Sequence, residues 1–170
     1  MLLYEKIVKS FEKEGVRKIS GNTVSAKLYR LLPSFVEWER GSGLSLYGFG
    51  KFLGKDIGKY LVKEKSVNDV ESLSKATVNL FGPDDWNVGI TEIKELWDAG
   101  FIITIKENAT CVGIKPTGHP FCIFETGILA GLAEGALNRS AQCIESSCLV
   151  AGDDDCEFVV ELKSTMERFW

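Results

Sequence analysis

Two short turns constrain the fold of this chain more than any other feature of its sequence. The first is Asp98-Ala99-Gly100, and the second lies around Gly152. Each turn joins two segments rich in β-branched and aromatic residues, and these four segments are 88–97, 101–107, 140–145 and 157–162. Because strands joined by such short connections must run antiparallel, the sequence predicts two β-hairpins.

Helical periodicity marks most of the remaining chain, with apolar residues three or four positions apart. The predicted helices are 2–14, 22–32, 44–63, 67–80 and 121–137. An antiparallel sheet of about four strands, packed against helices on one face, is an α+β domain, and this is the predicted fold class. A chain of 170 residues fits a single domain. We expect residues 1–40 to form an N-terminal helical arm and residues 41–165 to form the core.

Glycine recurs at every fourth position in two of the predicted helices. The two stripes are Gly50, Gly54 and Gly58, and Gly127, Gly131 and Gly135. Residues four apart share one helix face, and each glycine costs a helix about 1 kcal/mol relative to alanine. We therefore expect the stripes to serve close packing, within the fold or across a dimer. A ligand lying against a helix is the alternative.

Basic residues are concentrated in the first part of the chain. Residues 1–65 hold 13 basic and 7 acidic side chains, whereas residues 66–170 hold 7 and 17. Four lysines share a helix face, namely Lys51, Lys55, Lys59 and Lys63. We expect a solvated lysine face and docking of the basic part on the acidic part, within or between chains. No nucleic-acid-binding motif accompanies the lysines, so nucleic acid is not an expected partner.

Segments that direct a chain to or across a membrane are not evident. No apolar run approaches the ~20 residues of a membrane span, and charges enter too early at the N-terminus for a signal peptide. We therefore expect a cytoplasmic protein whose five cysteines stay reduced and available to metals.

Four residues form a candidate metal site. Cys148 and Cys156 flank the Gly152 turn, and Glu145 lies three residues before Cys148. Strict alternation would place Glu145 and Cys148 on opposite faces, so a bulge or an irregular strand end is required. Cys122 lies at a helix start, which favours a thiolate. Three thiolates and one carboxylate suit tetrahedral zinc, although spacing alone leaves open that these are ordinary core residues.

The same stretch resembles a known family. The segments Gly127–Gly131 and Glu145–Phe158 resemble the 4-vinyl reductase domain family. The family includes stand-alone archaeal proteins, a protein linked to bacteriochlorophyll synthesis, and the sensor domains of phenol-responsive transcription activators. Its fold is similar to that of subunits of the TRAPP vesicle-tethering complex. The resemblance covers residues 40–165.

The resemblance implies a specific set of zinc ligands. Zinc in the phenol sensors is held by a cysteine, then Glu-x-x-Cys, then a further cysteine eight residues later. Cys122, Glu145, Cys148 and Cys156 match that motif position by position. Four protein ligands leave no open position, so the zinc should be structural. His119 is the alternative to Glu145 as a ligand, and Cys111 and Cys143 are expected to be core or surface residues.

The resemblance also implies a function. The family's sensors hold an aromatic ligand in an apolar cavity between helices and sheet, and 11% of this chain is aromatic. We expect a zinc-containing domain, homodimeric, that binds a small hydrophobic or aromatic molecule and has a sensing or regulatory role. The ligand-contacting residues stay unassigned.

Two other functions remain open. The first is a tetrapyrrole vinyl reductase, although the chain lacks a dinucleotide fingerprint. Its one candidate nucleophile–base pair is Cys122 with His119, so no catalytic residue is predicted. The second is an assembly or scaffold subunit, which rests on fold resemblance alone.

Overall fold

The computed structural model describes residues 46–163, and the predicted helices 2–14 and 22–32 and the arm 1–40 lie outside them. The described elements, in chain order, are α1 (Leu46–Lys65), α2 (Val70–Phe81), β1 (Ile90–Trp97), β2 (Gly100–Lys106), α3 (Ile123–Leu137), β3 (Ala141–Ser147) and β4 (Cys156–Leu162). All seven match predicted segments in type, with ends displaced by at most a few residues. None of these helices is long and apolar enough to cross a bilayer.

The four strands form one antiparallel sheet in the order β1-β2-β4-β3. Each predicted hairpin is present, and the two hairpins join through β2 and β4 at the centre. Helices α2 and α3 pack on the sheet, α2 against β1 and β2 and α3 against β3 and β4. The predicted α+β class, an antiparallel sheet of about four strands packed against helices, is therefore confirmed.

One face of the sheet supplies the core. Side chains alternate along β4 between buried and half-buried positions, as expected for a strand with one face covered. Ile103 of β2 is aligned with Phe158 of β4, which is aligned in turn with Glu145 of β3. Ile103 and Phe158 are fully buried. Glu145 therefore extends an apolar row on the face that the helices cover.

Helix α1 lies against α3 through the two glycine stripes. A Cβ atom built on Gly54 would lie 2.1 Å from the carbonyl oxygen of Ile128, and one built on Gly131 would lie 2.1 Å from that of Lys51. Side chains at these positions would collide with backbone, so the two helices can approach this closely only because the stripes have none. The predicted close packing occurs within the fold.

The lysine stripe is only partly a solvated face. The Lys51 ammonium lies 2.9 Å from a carboxylate oxygen of Glu134 on α3, and it donates to the carbonyl oxygen of Ala141 at 3.2 Å. Lys55 reaches the other oxygen of Glu134 at 3.9 Å. Lys59 is well exposed, as predicted. Part of the basic segment thus docks on an acidic residue of the same chain.

Candidate metal centre

Four thiols meet in the interior of the domain. Their sulfur atoms all lie within 4.8 Å of one another, and they belong to Cys111, Cys122, Cys148 and Cys156. Each side chain is at most 1% exposed. We refer to these four residues as the thiol cluster.

The spacing of the sulfurs fits a single tetrahedral ion. A zinc–sulfur bond of about 2.3 Å gives a tetrahedron with edges of about 3.8 Å. The Cys111 sulfur lies 3.9 Å from that of Cys148 and 3.6 Å from that of Cys156. The Cys122 and Cys156 sulfurs are 3.7 Å apart. The Cys111–Cys122 pair is closer, at 3.0 Å, yet well beyond a disulfide bond of about 2.05 Å.

Four separate segments bring the thiols together. Cys111 lies in the turns that follow β2, and Cys122 directly precedes the first residue of α3. Cys148 follows the last residue of β3, and Cys156 is the first residue of β4. Three of these positions, 122, 148 and 156, are those predicted from the sequence.

A bulge in β3 places Glu145 and Cys148 on the same side of the sheet. Glu145 is aligned with Phe158, whereas Ser147 is aligned with Glu157, so the register shifts by one residue between them. The extra residue is Ser146. It reverses the alternation, as the sequence analysis required, and Cys148 is directed into the core.

Cys111 is the member of the thiol cluster that sequence reasoning missed. It lies eleven residues before Cys122 and has no short spacing to another cysteine. The signal that could have found it is topological. In the sheet, Ile105 near the end of β2 is aligned with Cys156 at the start of β4. The turn after β2 therefore emerges beside the predicted site.

Glu145, the fourth predicted ligand, lies beside the thiol cluster. Its Oε2 atom accepts a hydrogen bond from the backbone N–H of Cys122 at 2.9 Å. Burial raises the pKa of the Cys148 thiol, and a hydrogen bond with Glu145 raises that pKa further. The Oε1 atom of Glu145 is buried and has no hydrogen-bond partner within residues 46–163. Direct ligation by Glu145 stays a prediction.

Hydrogen-bond donors surround the sulfurs. The side-chain amide of Asn108, itself fully buried, donates to the Cys122 sulfur at 3.4 Å. The turn after Cys148 brings the backbone N–H groups of Val150 and Ala151 to the Cys148 sulfur. A φ of 112° at Gly152, which favours glycine, closes this turn. Such donors stabilise thiolates, so the surroundings suit a ligand set with excess negative charge.

The protonation of the thiols is strongly uneven. Hydrogen bonds from the thiols of Cys111 and Cys122 hold the pKa of Cys156 well below its usual value. Hydrogen bonds with Cys111 and Cys156, together with burial, raise the pKa of Cys122. One thiolate is thus stabilised by protons on its neighbours. A bound cation would replace those protons, because the thiolate is the metal-binding form.

The remaining candidates lie apart from the thiol cluster. His119 is exposed and is not among the residues that meet there, so the structure gives no support to it as a ligand. Cys143 is 6% exposed and is aligned with Val160 on the inner face of the sheet, which agrees with the predicted core role.

A second buried carboxyl lies one turn along α3 from Cys122. Glu125 is 5% exposed, and its Oε1 atom accepts a hydrogen bond from the hydroxyl of Thr110. Burial raises its pKa. The region of the thiol cluster therefore holds more acidic groups than one divalent ion neutralises.

Two open grooves also lie on the described surface. One, of about 640 Å³, lies on the outer face of the sheet and is lined mostly by charged and polar side chains such as Glu92, Lys106 and Asp154. The other, of about 530 Å³, lies between the start of α2 and the end of β1. Neither is an enclosed apolar cavity, so the ligand-contacting residues stay unassigned.

Comparisons with known proteins bear on this fold and site. Residues 101–162 match the vinyl-4-reductase domain family, and the match spans both strands of the second hairpin, α3 and all four cysteines of the thiol cluster. An uncharacterized protein of Methanocaldococcus jannaschii, MJ0150, is 27% identical, and the alignment covers 99% of this chain and 95% of the relative. The family resemblance found in the sequence is thereby confirmed.

Solved structures share the fold. A vinyl-4-reductase family protein from Methanocaldococcus jannaschii aligns with a TM-score of 0.56 and 22% identity, over 96% of this chain and 97% of its own. The phenol-responsive sensory domain of the transcription activator PoxR, solved with phenol, aligns with a TM-score of 0.58 and 11% identity, over 73% and 64%. A trafficking protein particle complex subunit 3 from Naegleria fowleri aligns at 0.49 and 19% identity, over 70% and 78%.

Proposed function

Since residues 101–162 of this chain match the vinyl-4-reductase domain family, we propose that it is a zinc-containing module that binds a small hydrophobic or aromatic molecule. Its role is sensing or regulation, and a homodimer is its expected form. The observation that carries the proposal is the buried meeting of four thiols at tetrahedral separations.

Zinc is the ion that this donor set fits best. Sulfur ligands disfavour magnesium and calcium, and four cysteines are a common structural zinc site. Cys122, Cys148 and Cys156 provide three ligands, and Cys111 completes the tetrahedron. Because no position is left for a substrate, the ion has a structural role: it ties the turns after β2 and the start of α3 to the second hairpin.

Ligand binding is supported by two observations. The sensory domain of PoxR, which shares this fold, was solved with phenol. The layer between the helices holds aromatic side chains, among them the stacked pair Phe49–Phe124, whose ring centres are 5.7 Å apart. An aromatic molecule would find complementary ring contacts there.

The metal is tested by elemental analysis and native mass spectrometry of protein purified without added metal. We expect one zinc per chain and a large loss of thermal stability when a strong chelator removes it, since structural zinc stabilises the folded state directly. Cys148→Ala should lose the ion, whereas Cys143→Ala, a buried cysteine outside the cluster, should retain it. A wild-type protein without metal, with five freely titratable thiols, would contradict the proposal.

Ligand binding is tested with phenol as the probe and cyclohexanol as its non-aromatic match. We expect phenol to raise the melting temperature of the zinc-loaded protein in a concentration-dependent way, since a ligand that binds only the folded state stabilises it. Equal shifts with both compounds would indicate a site for apolar molecules in general. No shift with either, and no co-purified mass, would remove the sensing role while leaving the zinc site intact.

A further inference from the structure

The centre has one donor more than a tetrahedral ion uses. Four thiols meet in the cluster, and the Glu145 carboxylate is next to two of them, through the Cys122 N–H and the Cys148 thiol. A four-coordinate ion can take only four of these five donors. Either the carboxylate is never a ligand, or two ligand sets exist that share three cysteines.

The Glu145 side chain has an unmet bonding capacity. Its Oε1 atom is buried and has no partner within residues 46–163, the part of the chain that the structure describes. A buried acceptor left without a partner costs free energy. Few native side chains are left in this condition without a reason, and an ion is one of the usual reasons. The ion that Cys122 and Cys148 would hold is the nearest candidate.

The fifth donor, Cys111, is held differently from the other three cysteines. Cys122 begins α3, and Cys148 and Cys156 lie at the two ends of the β3–β4 turn. Cys111 lies in irregular backbone, where its N–H bonds the carbonyl of Asn108 at 2.9 Å and its carbonyl accepts from Ile114 at 3.1 Å. Both bonds are local to the turn, so the turn can shift without breaking the sheet or a helix.

The two ligand sets carry the same charge. Zinc with four thiolates has a net charge of −2, and zinc with three thiolates and one carboxylate also has −2. Burying a changed net charge would cost several kcal/mol, and this exchange avoids that cost. The short separation of 3.0 Å between the Cys111 and Cys122 sulfurs, below the tetrahedral edge, adds crowding that the exchange relieves.

We propose that Cys111 and Glu145 are interchangeable fourth ligands of one metal ion, which Cys122, Cys148 and Cys156 hold permanently. This rests on the metal site of the proposed function. In one state the ion is bound by four thiolates and the turn that bears Cys111 is tied to the hairpin. In the other, Glu145 replaces Cys111, and the turn with its free thiol is released while the ion stays in place.

The test compares variants that remove one donor at a time. The set is Cys111→Ala, Glu145→Gln, the double variant, Cys148→Ala as the loss-of-site reference and Cys143→Ala as the matched control. Zinc per chain is measured in the presence of a competing chelator. The number of thiolate ligands is read from the intensity of sulfur-to-cobalt charge-transfer absorption in the Co²⁺-substituted proteins.

We expect Cys111→Ala to keep one zinc per chain, with absorption reduced from four thiolates to three. Glu145→Gln should keep the four-thiolate absorption, because Cys111 is still present. The double variant should lose zinc as completely as Cys148→Ala, a loss greater than the two single effects combined. Melting curves on the apo and zinc forms show whether each variant folds.

Two results would overturn the exchange. In the first, Cys111→Ala is as empty as Cys148→Ala, so that Glu145 cannot take over. In the second, Cys111→Ala and the double variant bind zinc equally, so that the carboxylate contributes nothing. In both, wild-type protein still binds zinc and the proposed function survives. Absence of metal from wild-type protein would overturn both proposals together.

Discussion

Substituting one glycine in the middle of the α1–α3 contact tests the packing most directly. In Gly131→Ala, the added Cβ would lie 2.1 Å from the carbonyl oxygen of Lys51 and 2.8 Å from the N–H nitrogen of Lys55. Both neighbours are backbone atoms of α1, which no side-chain rotation can move. Because Cβ contacts below 3.0 Å are essentially never observed, the helices must separate by about 0.9 Å at this point.

The expected cost follows from two opposing contributions. Overpacking a tight core costs about 1–3 kcal/mol, and a contact with rigid backbone falls at the upper end. Alanine is favoured over glycine in a helix by about 1 kcal/mol. We therefore expect the free energy of unfolding to fall by about 2 kcal/mol. For a chain of this size, that corresponds to a melting temperature lower by about 4–8 °C.

The assay is urea unfolding followed by circular dichroism, on zinc-loaded protein. The control is the pair Lys59→Ala and Lys59→Gly in α1, where Lys59 is well exposed, so that their difference reports helix propensity alone. That difference should favour alanine. If Gly131→Ala were as stable as wild type, or more stable, the helices would not approach as closely as described and the account of the stripes would be wrong.

Three further predictions concern the metal centre and its neighbours. Asn108→Ala removes the amide donor to the Cys122 sulfur and should weaken zinc binding about 10- to 100-fold in a chelator competition, since residues that bond a metal ligand typically have effects of that size; an unchanged affinity would exclude that role. Zinc affinity should fall steadily as pH is lowered from about 8 to about 5, because the four thiols must lose protons to bind, and a flat profile would contradict a thiolate site. Glu134→Gln should lower the free energy of unfolding by about 1 kcal/mol at neutral pH. Burial alone would raise the pKa of Glu134, but hydrogen bonds from Lys51 and the Ala141 N–H outweigh it and lower the pKa. A lowered folded-state pKa gives a contribution that is present above the unfolded value and lost as pH falls through the folded one, so the two proteins should become equally stable in acid; a difference that persists at low pH would show that the ion pair is not its cause.

Local patterns were sufficient for the secondary structure and for most of the site. Short turns at Gly100 and Gly152 required antiparallel pairing, and both hairpins are present. The need to bring Glu145 and Cys148 to one side predicted an irregularity in β3, which the structure has as a bulge. The glycine stripes predicted a close helix contact, though the sequence could not decide between a contact within the fold and one across a dimer.

The identity of the thiol cluster required the tertiary structure. Spacing along the chain relates Cys148 to Cys156, because a single turn separates them and its geometry is local. Cys111 has no such relation to the others, since it is 37 residues from Cys148 and 45 from Cys156. Only the pairing of β2 with β4 brings its turn to the site.

The sequence by itself determined the elements, the antiparallel hairpins and three of the four clustered cysteines, because each depends on interactions between residues near one another in the chain. The tertiary structure decided how the hairpins join, which helix faces the glycine stripe of α1, and that a fourth thiol stands where a carboxylate was expected. These depend on contacts between distant segments, which form together when the core packs and leave no periodic trace in the sequence.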